Sequence, residues 1–299
     1  MALDFAHLLT SFLLLFVLSP FVAPRTLEPT ESPFAKTLRN LESLHKGQTA
    51  KGLGELKTYL KNFGYINNDH NLNTLPDRFD DTLESAIKDY QKFYGLDING
   101  RLDSATIQKL SLPRCGLPDI SKHNRNKNGL IMVSNYTFFG GSPKWQNNRR
   151  DLTYVYRSSA NVLDINEVRD AIQNAFISWE QVTDFTFNQV DEGQHADIVI
   201  GFHSRDHGDG YPFDGPGRVL AHAFAPQDGR LHLDGDEKWS TNPSSNLVDL
   251  ESVAVHEIGH ILGLGHSYNL NAVMYPSYSH VKRNLGRDDI DGIRNLYQY

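Results

Sequence analysis

The segment HEIGHILGLGH at positions 256–266 restricts the fold more than any other stretch of the chain. His256 and His260 lie four residues apart in a helix-compatible run, so their imidazoles leave one face of a helix and can converge on one ion. Gly263 lets the chain leave that helix, and His266, three residues on, brings a third nitrogen from outside it. Three neutral nitrogens leave one tetrahedral position of a zinc ion open to water, whose pKa falls from about 15.7 in bulk to about 7 on such a metal. Glu257 points a quarter-turn away from its neighbour, so it is placed to take that water's proton rather than to act as a fourth ligand. Any one of these histidines alone reads as an ordinary core or surface residue. The register of all four residues is very rare by chance in a chain of this length.

At 299 residues the chain has room for one large core and a second, smaller domain. With 39% hydrophobic and 22% charged residues it is neither disordered nor a multiple membrane spanner, and a net charge of -7 with scattered basic residues gives no footprint for nucleic acid. The apolar run Leu8–Leu18, closed by Ser19-Pro20 and Ala23, reads as a signal peptide over 1–23. It is shorter than the roughly 20 apolar residues of a membrane anchor. The expected localisation is therefore the extracellular space, cell wall or matrix. One cysteine, Cys115, permits no intramolecular disulfide, and an odd thiol in an oxidising compartment needs a partner or a task of its own.

Residues 24–34 read as a mobile leader rich in Pro, Thr, Glu and Ser, with order starting near Phe34. Leu53, Leu56, Tyr59 and Leu60, then Leu83, Ile87, Tyr90 and Phe93, recur at helical spacing, and a short helix over 103–110 is capped by Asp103 or Ser104. This predicts a small three-helix piece packed around few aromatics. A polar stretch, ISKHNRNKNG at 120–129, reads as a linker and proteolytic nick site. Beyond it LTYVYR, ADIVIGF and VLAHAFA read as strands, while 203–236 otherwise reads as a loop rich in Gly and Asp. Helices are predicted over 167–182, 250–262 and 287–297, the last opened by Asp288 and Asp289 as favourable charges. The expected division is a signal peptide over 1–23, a propeptide over 24–127 and a catalytic domain over 128–299.

Three motifs, PRCGLPD at 113–119, HEIGHILGLGHS at 256–267 and AVMYPSY at 272–278, resemble those of the matrix metalloproteinases within the metzincins. The layout looks most like the compact plant members, without a hemopexin-like domain. The segments FDDTLESAIKDYQKFYGL and NGRLDSATIQKL resemble a peptidoglycan-binding-like helical fold. The resemblance implies an α+β metzincin catalytic domain, with a twisted, mostly parallel sheet and three helices, behind a three-helix prodomain. It implies that Met274 forms the turn beneath the zinc. Val219, Leu220 and Ala221 would form an edge strand to which an extended substrate adds, and Pro276 and Tyr278 would line the pocket beyond the cut. The Cys115 thiolate would fill the open zinc position in a latent zymogen, its loop held by Arg114 and Asp119, until an activating protease cuts in the 120–130 region.

The same resemblance implies a structural zinc on His207, Asp209, His222 and His232. It also implies a calcium site on Asp214, Asp234 and Glu237 with carbonyls of Gly215, Gly217 and Val219. The chain departs from the pattern at Arg218, where a glycine is usual, and in the shorter His222–His232 stretch. Asp197 matches one residue of the family's other calcium site without recognisable loop partners, so that site is not expected. Asn135-Tyr136-Thr137 is an acceptable glycosylation sequon. No membrane span or lipid anchor is expected, and the protein is expected to act as a monomer on protein or peptide substrates. Two other readings remain at this point, a glycan-binding module with the zinc domain as scaffold and a zinc hydrolase of peptidoglycan cross-links; the intact Glu257 weighs against a scaffold.

Overall fold

The computed structural model describes residues 32–67, 76–120, 135–146, 149–158, 162–245 and 247–298. The expected signal peptide, the leader up to residue 31 and the linker from residue 121 lie outside the described residues.

The helical repeats of Leu, Ile and aromatic residues form α2 (Leu53–Asn62), α3 (Asp81–Phe93) and α4 (Ser104–Leu110), and their apolar faces turn inward onto one core. Asp80 and Asp103 cap α3 and α4 by accepting from the amides of Leu83 (2.9 Å) and Thr106 (2.8 Å), satisfying donors that the first helical turn leaves free. A fourth helix, α1 (Pro33–Asn40), precedes the three expected. Ser32 accepts from the Ala35 amide and Pro33 opens the first turn, so the end of the expected leader starts this helix. The expectation of few aromatics is corrected: Phe34, Tyr59, Phe63, Tyr65, Phe79, Tyr90, Phe93 and Tyr94 are all buried. These large rings give a short unit enough apolar area, since each fully buried side chain of this size contributes on the order of 1.5–3 kcal/mol.

The second core lies between a sheet and two helices. Six strands, β1 (Arg114–Cys115), β2 (Asp151–Ser158), β3 (Thr186–Gln189), β4 (Ile198–His203), β5 (Val219–Ala223) and β6 (Arg230–Asp234), pair in the order β1-β5-β6-β4-β2-β3. The β5–β6 pair is antiparallel and the other pairs are parallel. Strand β6 corrects the expectation of loop over this stretch; its five residues pair with β4 and β5 and bury Leu231 and Leu233. Two further short strands, β7 (Trp239–Ser240) and β8 (Val248–Asp249), pair separately.

Helix α5 (Ile165–Glu180) buries Val168, Ala171, Ile172, Ala175, Phe176 and Trp179 along one face. Helix α6 (Leu250–Ile261) packs on α5 and on β5 and β6, and every residue in it except Glu251 is buried. The Trp179 indole donates to the Val255 carbonyl (2.9 Å), which ties the two helices at one point. Helix α7 (Arg287–Tyr297) follows, with Ile293 and Leu296 in the same core. The smaller core also reaches across to this domain: Tyr275 packs edge-on to Tyr94 (5.7 Å) and Tyr268 packs against Phe93 (4.4 Å).

Candidate metal centre

Helix α6 carries His256 and His260 on one buried face, and the chain leaves it through Gly263 at φ 104°. That left-handed conformation suits glycine, and a Cβ there would also run into the Pro143 carbonyl. The reversal returns His266, 2% exposed, to the first two rings.

Main-chain carbonyls decide which ring nitrogen carries the proton. Val273 O lies 2.7 Å from His256 Nδ1 and Leu264 O lies 2.8 Å from His260 Nδ1. A carbonyl only accepts, so both Nδ1 atoms are the donors and both Nε2 atoms bear lone pairs. Those two Nε2 atoms face each other at 3.0 Å, and the buried Nε2 of His266 has no hydrogen-bond partner. Three lone pairs aimed at one dry point repel each other unless a cation sits between them, which is the donor set that zinc takes. Burial keeps the rings neutral: it pushes His256 down to about 3 and lowers His260 and His266 as well.

Cys115 completes the set. Its Sγ lies 3.5 Å from His260 Nε2, and the ligand atoms of Cys115, His256, His260 and His266 all lie within 4.8 Å of one another. Tetrahedral zinc with arms of 2.0–2.3 Å has edges of about 3.3–3.8 Å, a range that the separations of the four atoms bracket, so the set could hold one ion. Burial and the neighbouring Glu257 push the thiol well above its ordinary pKa, so a thiolate at this place calls for a positive partner. Glu257 is itself fully buried, neither carboxylate oxygen has a hydrogen-bond partner, and burial pushes it up to about 8.

The strand that carries Cys115 is held from both sides. Arg114 N donates to Arg218 O (2.7 Å) and Gly116 N to Ala221 O (2.8 Å), while Cys115 N donates to Pro276 O (3.0 Å) and Pro113 O accepts from Tyr278 N (2.8 Å). Arg114 and Asp119 form a buried ion pair with two nitrogen–oxygen contacts, 2.6 and 3.0 Å. Asp119 also accepts from Tyr65 OH (2.7 Å) and lies 2.8 Å from His266 Nδ1. Burial acts to raise its carboxyl, but Arg114 and His266 outweigh this and hold it well below the usual range. Leu220, Pro276 and Tyr278 line a pocket beside His256 and Glu257, with Val253 and Val273. Ala221 is fully buried and meets the cleft through its carbonyl.

Two contributors escape the sequence reading. Asp289, read there only as a helix-opening charge, is buried and accepts from the amides of Val273 (2.9 Å), Met274 (3.0 Å) and Gly286 (2.8 Å). It therefore holds the turn whose Val273 carbonyl orients His256; a carboxylate three residues after the helix cap is the signal for this role. Gly259, one residue before His260, makes room for that turn, because a Cβ there would overlap Met274 Sδ and crowd Trp179.

A second cluster forms outside this centre. Asp209 Oδ2 lies 2.9 Å from His207 Nε2, 2.7 Å from His222 Nε2 and 2.8 Å from His232 Nδ1. His207 Nδ1 faces the Arg205 carbonyl (2.9 Å) and so donates to it, which turns Nε2 toward Asp209 and the other two rings, the donor set of a four-ligand metal site. Burial lowers His222 and His232 to about 4. Among the described residues these two groups converge as metal-ligand sets. Asp214, Asp234 and Glu237 do not converge in that way. Burial and mutual repulsion raise Asp234 to about 6 and Glu237 to about 7, and Asp234 Oδ2 is buried without a partner, but Arg218 is ion-paired with Asp214 at 2.8 Å. Asp197 accepts from Thr153 and pairs with Arg149. Asn135 is exposed, and its carbonyl accepts from Tyr268 N (3.0 Å).

Three buried imidazoles on a helix and the turn after it, an adjacent glutamate outside the ligand set and a cleft along β5 that the Cys115 strand fills define a metallopeptidase centre. The Matrixin family model matches residues 144–298, and a peptidoglycan binding domain model matches 49–110. Metalloendoproteinase 1 of Glycine max is 47% identical over 85% of this chain and 84% of its own length. Metalloendoproteinase 5-MMP of Arabidopsis thaliana is 45% identical over 88% of this chain and 75% of its own. Stromelysin-1 of Rattus norvegicus is 39% identical over 85% of this chain and 51% of its own. The chain belongs to the matrixin family, and it is a zinc metalloendopeptidase.

Proposed function

We propose that the protein is a secreted endopeptidase made as a latent zymogen, with a signal peptide over 1–23, a propeptide over 24–127 and a catalytic domain over 128–299. His256, His260 and His266 hold the catalytic zinc. His207, Asp209, His222 and His232 hold a structural zinc. Asp214, Asp234 and Glu237, with the carbonyls of Gly215, Gly217 and Val219, take calcium, an ion suited to oxygen ligands in a Gly-rich turn. When bound, the catalytic zinc polarises the peptide carbonyl and acidifies water.

The chain's own residues do the rest. Leu220 and Ala221 bind an extended substrate backbone along the edge of β5, and Pro276 and Tyr278 help form the pocket for the side chain after the cut. Glu257 takes the proton of the attacking water and passes it to the leaving amine. Met274 packs beneath the imidazoles and keeps the turn in place. Before activation Cys115 fills the fourth ligand position, while residues 113–116 occupy the cleft and exclude substrate. An activating protease cutting in the 120–130 region ends this state. The expected setting is the extracellular space, cell wall or matrix, with the enzyme acting as a monomer and Asn135 as a glycosylation site.

The reading rests on one observation, the convergence of Cys115 with the three histidines on a strand that lies in the cleft. Casein hydrolysis tests it. The intact chain should be silent, the nicked chain active, and a zinc chelator should abolish that activity. A Cys115→Ser chain that stays fully latent while intact would overturn the zymogen reading.

A further inference from the structure

The guanidinium of Arg218 lies 4.0 Å from the centroid of Phe34 on α1 and 5.7 Å from that of Tyr59 on α2. Those two rings stack on each other at 5.1 Å, and both are 2% exposed. Glu55, in the first turn of α2, lies 3.6 Å from Arg218 Nη1, while Asp214 on Arg218's own side lies 2.8 Å from its Nε. Next to it, a Cβ on Gly217 would come within 3.1 Å of Ser32, so the cap of α1 sits directly on this loop. A planar cation on desolvated aromatic faces gains on the order of 0.5–2 kcal/mol, and a neighbouring carboxylate adds to it.

We propose that Arg218 is a second anchor of the amino-terminal helices, gripping Phe34, Tyr59 and Glu55 with its side chain while its backbone pairs with the Cys115 strand, and so setting how often that strand leaves the cleft. The proposal rests on the latent-zymogen reading. Arg218 joins the two ends of the inhibitory unit: its carbonyl accepts from Arg114 N, and its side chain holds α1 and α2. Loss of the side-chain contacts loosens the helices and, through the shared residue, the strand.

The test is the rate at which a thiol reagent labels Cys115 in the full-length, zinc-loaded chain, with Glu257→Ala as the common background to prevent self-cleavage. Arg218→Ala should label about tenfold faster, in line with the stacking energy. Phe34→Ala should label at least as fast, because it also leaves a cavity beside Tyr59, and the double variant should fall short of the product of the two single effects, because the two residues share one contact. Phe34→Ala also guards against a folding defect in Arg218→Ala, since it leaves the catalytic domain's sequence intact. Labelling within about twofold of the parent in both single variants, or fully multiplicative effects in the double variant, would overturn the proposal. A chelator added to the parent separates the two readings: unchanged labelling there removes the metal-held thiol, while the Arg218 and Phe34 comparison still decides the anchor.

Discussion

Replacing Asp119 by alanine should open the latent form. The Asp119 and Arg114 side chains are 0% and 1% exposed, and the carboxylate meets both terminal guanidinium nitrogens, Tyr65 OH and the His266 ring. Without it the buried guanidinium keeps only neutral acceptors, the carbonyls of Cys115 (3.0 Å) and Leu117 (3.3 Å) and the Tyr94 hydroxyl (3.1 Å), with the Phe63 ring 3.5 Å away. Stripping one partner from a buried pair costs about 3–5 kcal/mol. The remaining acceptors favour the low end, and about 3 kcal/mol is a shift of roughly a hundredfold in the closed-to-open ratio. If cleavage falls in the 120–130 region, both residues leave with the propeptide, so the processed enzyme is unchanged and the effect falls on latency alone. The assay follows the appearance of casein-degrading activity in purified zinc-loaded chain without added protease. Asp119→Ala should activate on its own at least tens of times faster than the parent, and replacing the pair by Arg114→Met with Asp119→Leu should restore part of the latency. A folded Asp119→Ala chain as silent as the parent would refute the reasoning.

Glu257→Ala should lower turnover of the processed enzyme by about 100- to 10,000-fold while metal analysis finds the zinc retained; near-normal activity would demand another base. Asp209→Ala should remove one zinc per chain and leave the other, and the thermal midpoint should fall by roughly 2–4 °C for each kcal/mol lost; unchanged zinc content counts against that site. Calcium added to chelator-treated processed enzyme should raise its thermal midpoint, an increase that Glu237→Gln should abolish, and no increase in the parent would remove the calcium site. Gly259→Ala sets a helix-propensity gain of about 1 kcal/mol against overpacking of about 1–3 kcal/mol at Met274 and Trp179, so denaturant unfolding should show a net loss; a gain in stability would show that the turn can shift.

The features legible in the sequence are those written in local periodicity or in a dense motif. Helix α7 matches its predicted bounds and α6 differs by one residue, because a dense apolar run and motif define α6 and opening carboxylates define α7 within their own segments. Strand β6 escapes a sequence reading because RLHLD is five residues long inside a Gly- and Asp-rich stretch, and its partners β4 and β5 lie elsewhere in the chain. Helix α1 escapes it because PFAKTLRN is only about two turns long and follows a leader-like composition. The histidine sets can be read from spacing and resemblance, but the tautomer-setting carbonyls, the hold of Asp289 on the Met274 turn and the stacking of Arg218 on Phe34 are tertiary contacts between remote segments. No local pattern encodes them.

The oxygens that orient His256 and His260 belong to the peptide backbone of Val273 and Leu264. No codon change at those two positions can delete them. Substitution can erode the orientation of these ligands only by moving a whole segment of chain, so the surroundings of the centre are free to diverge as long as the path of the main chain is kept.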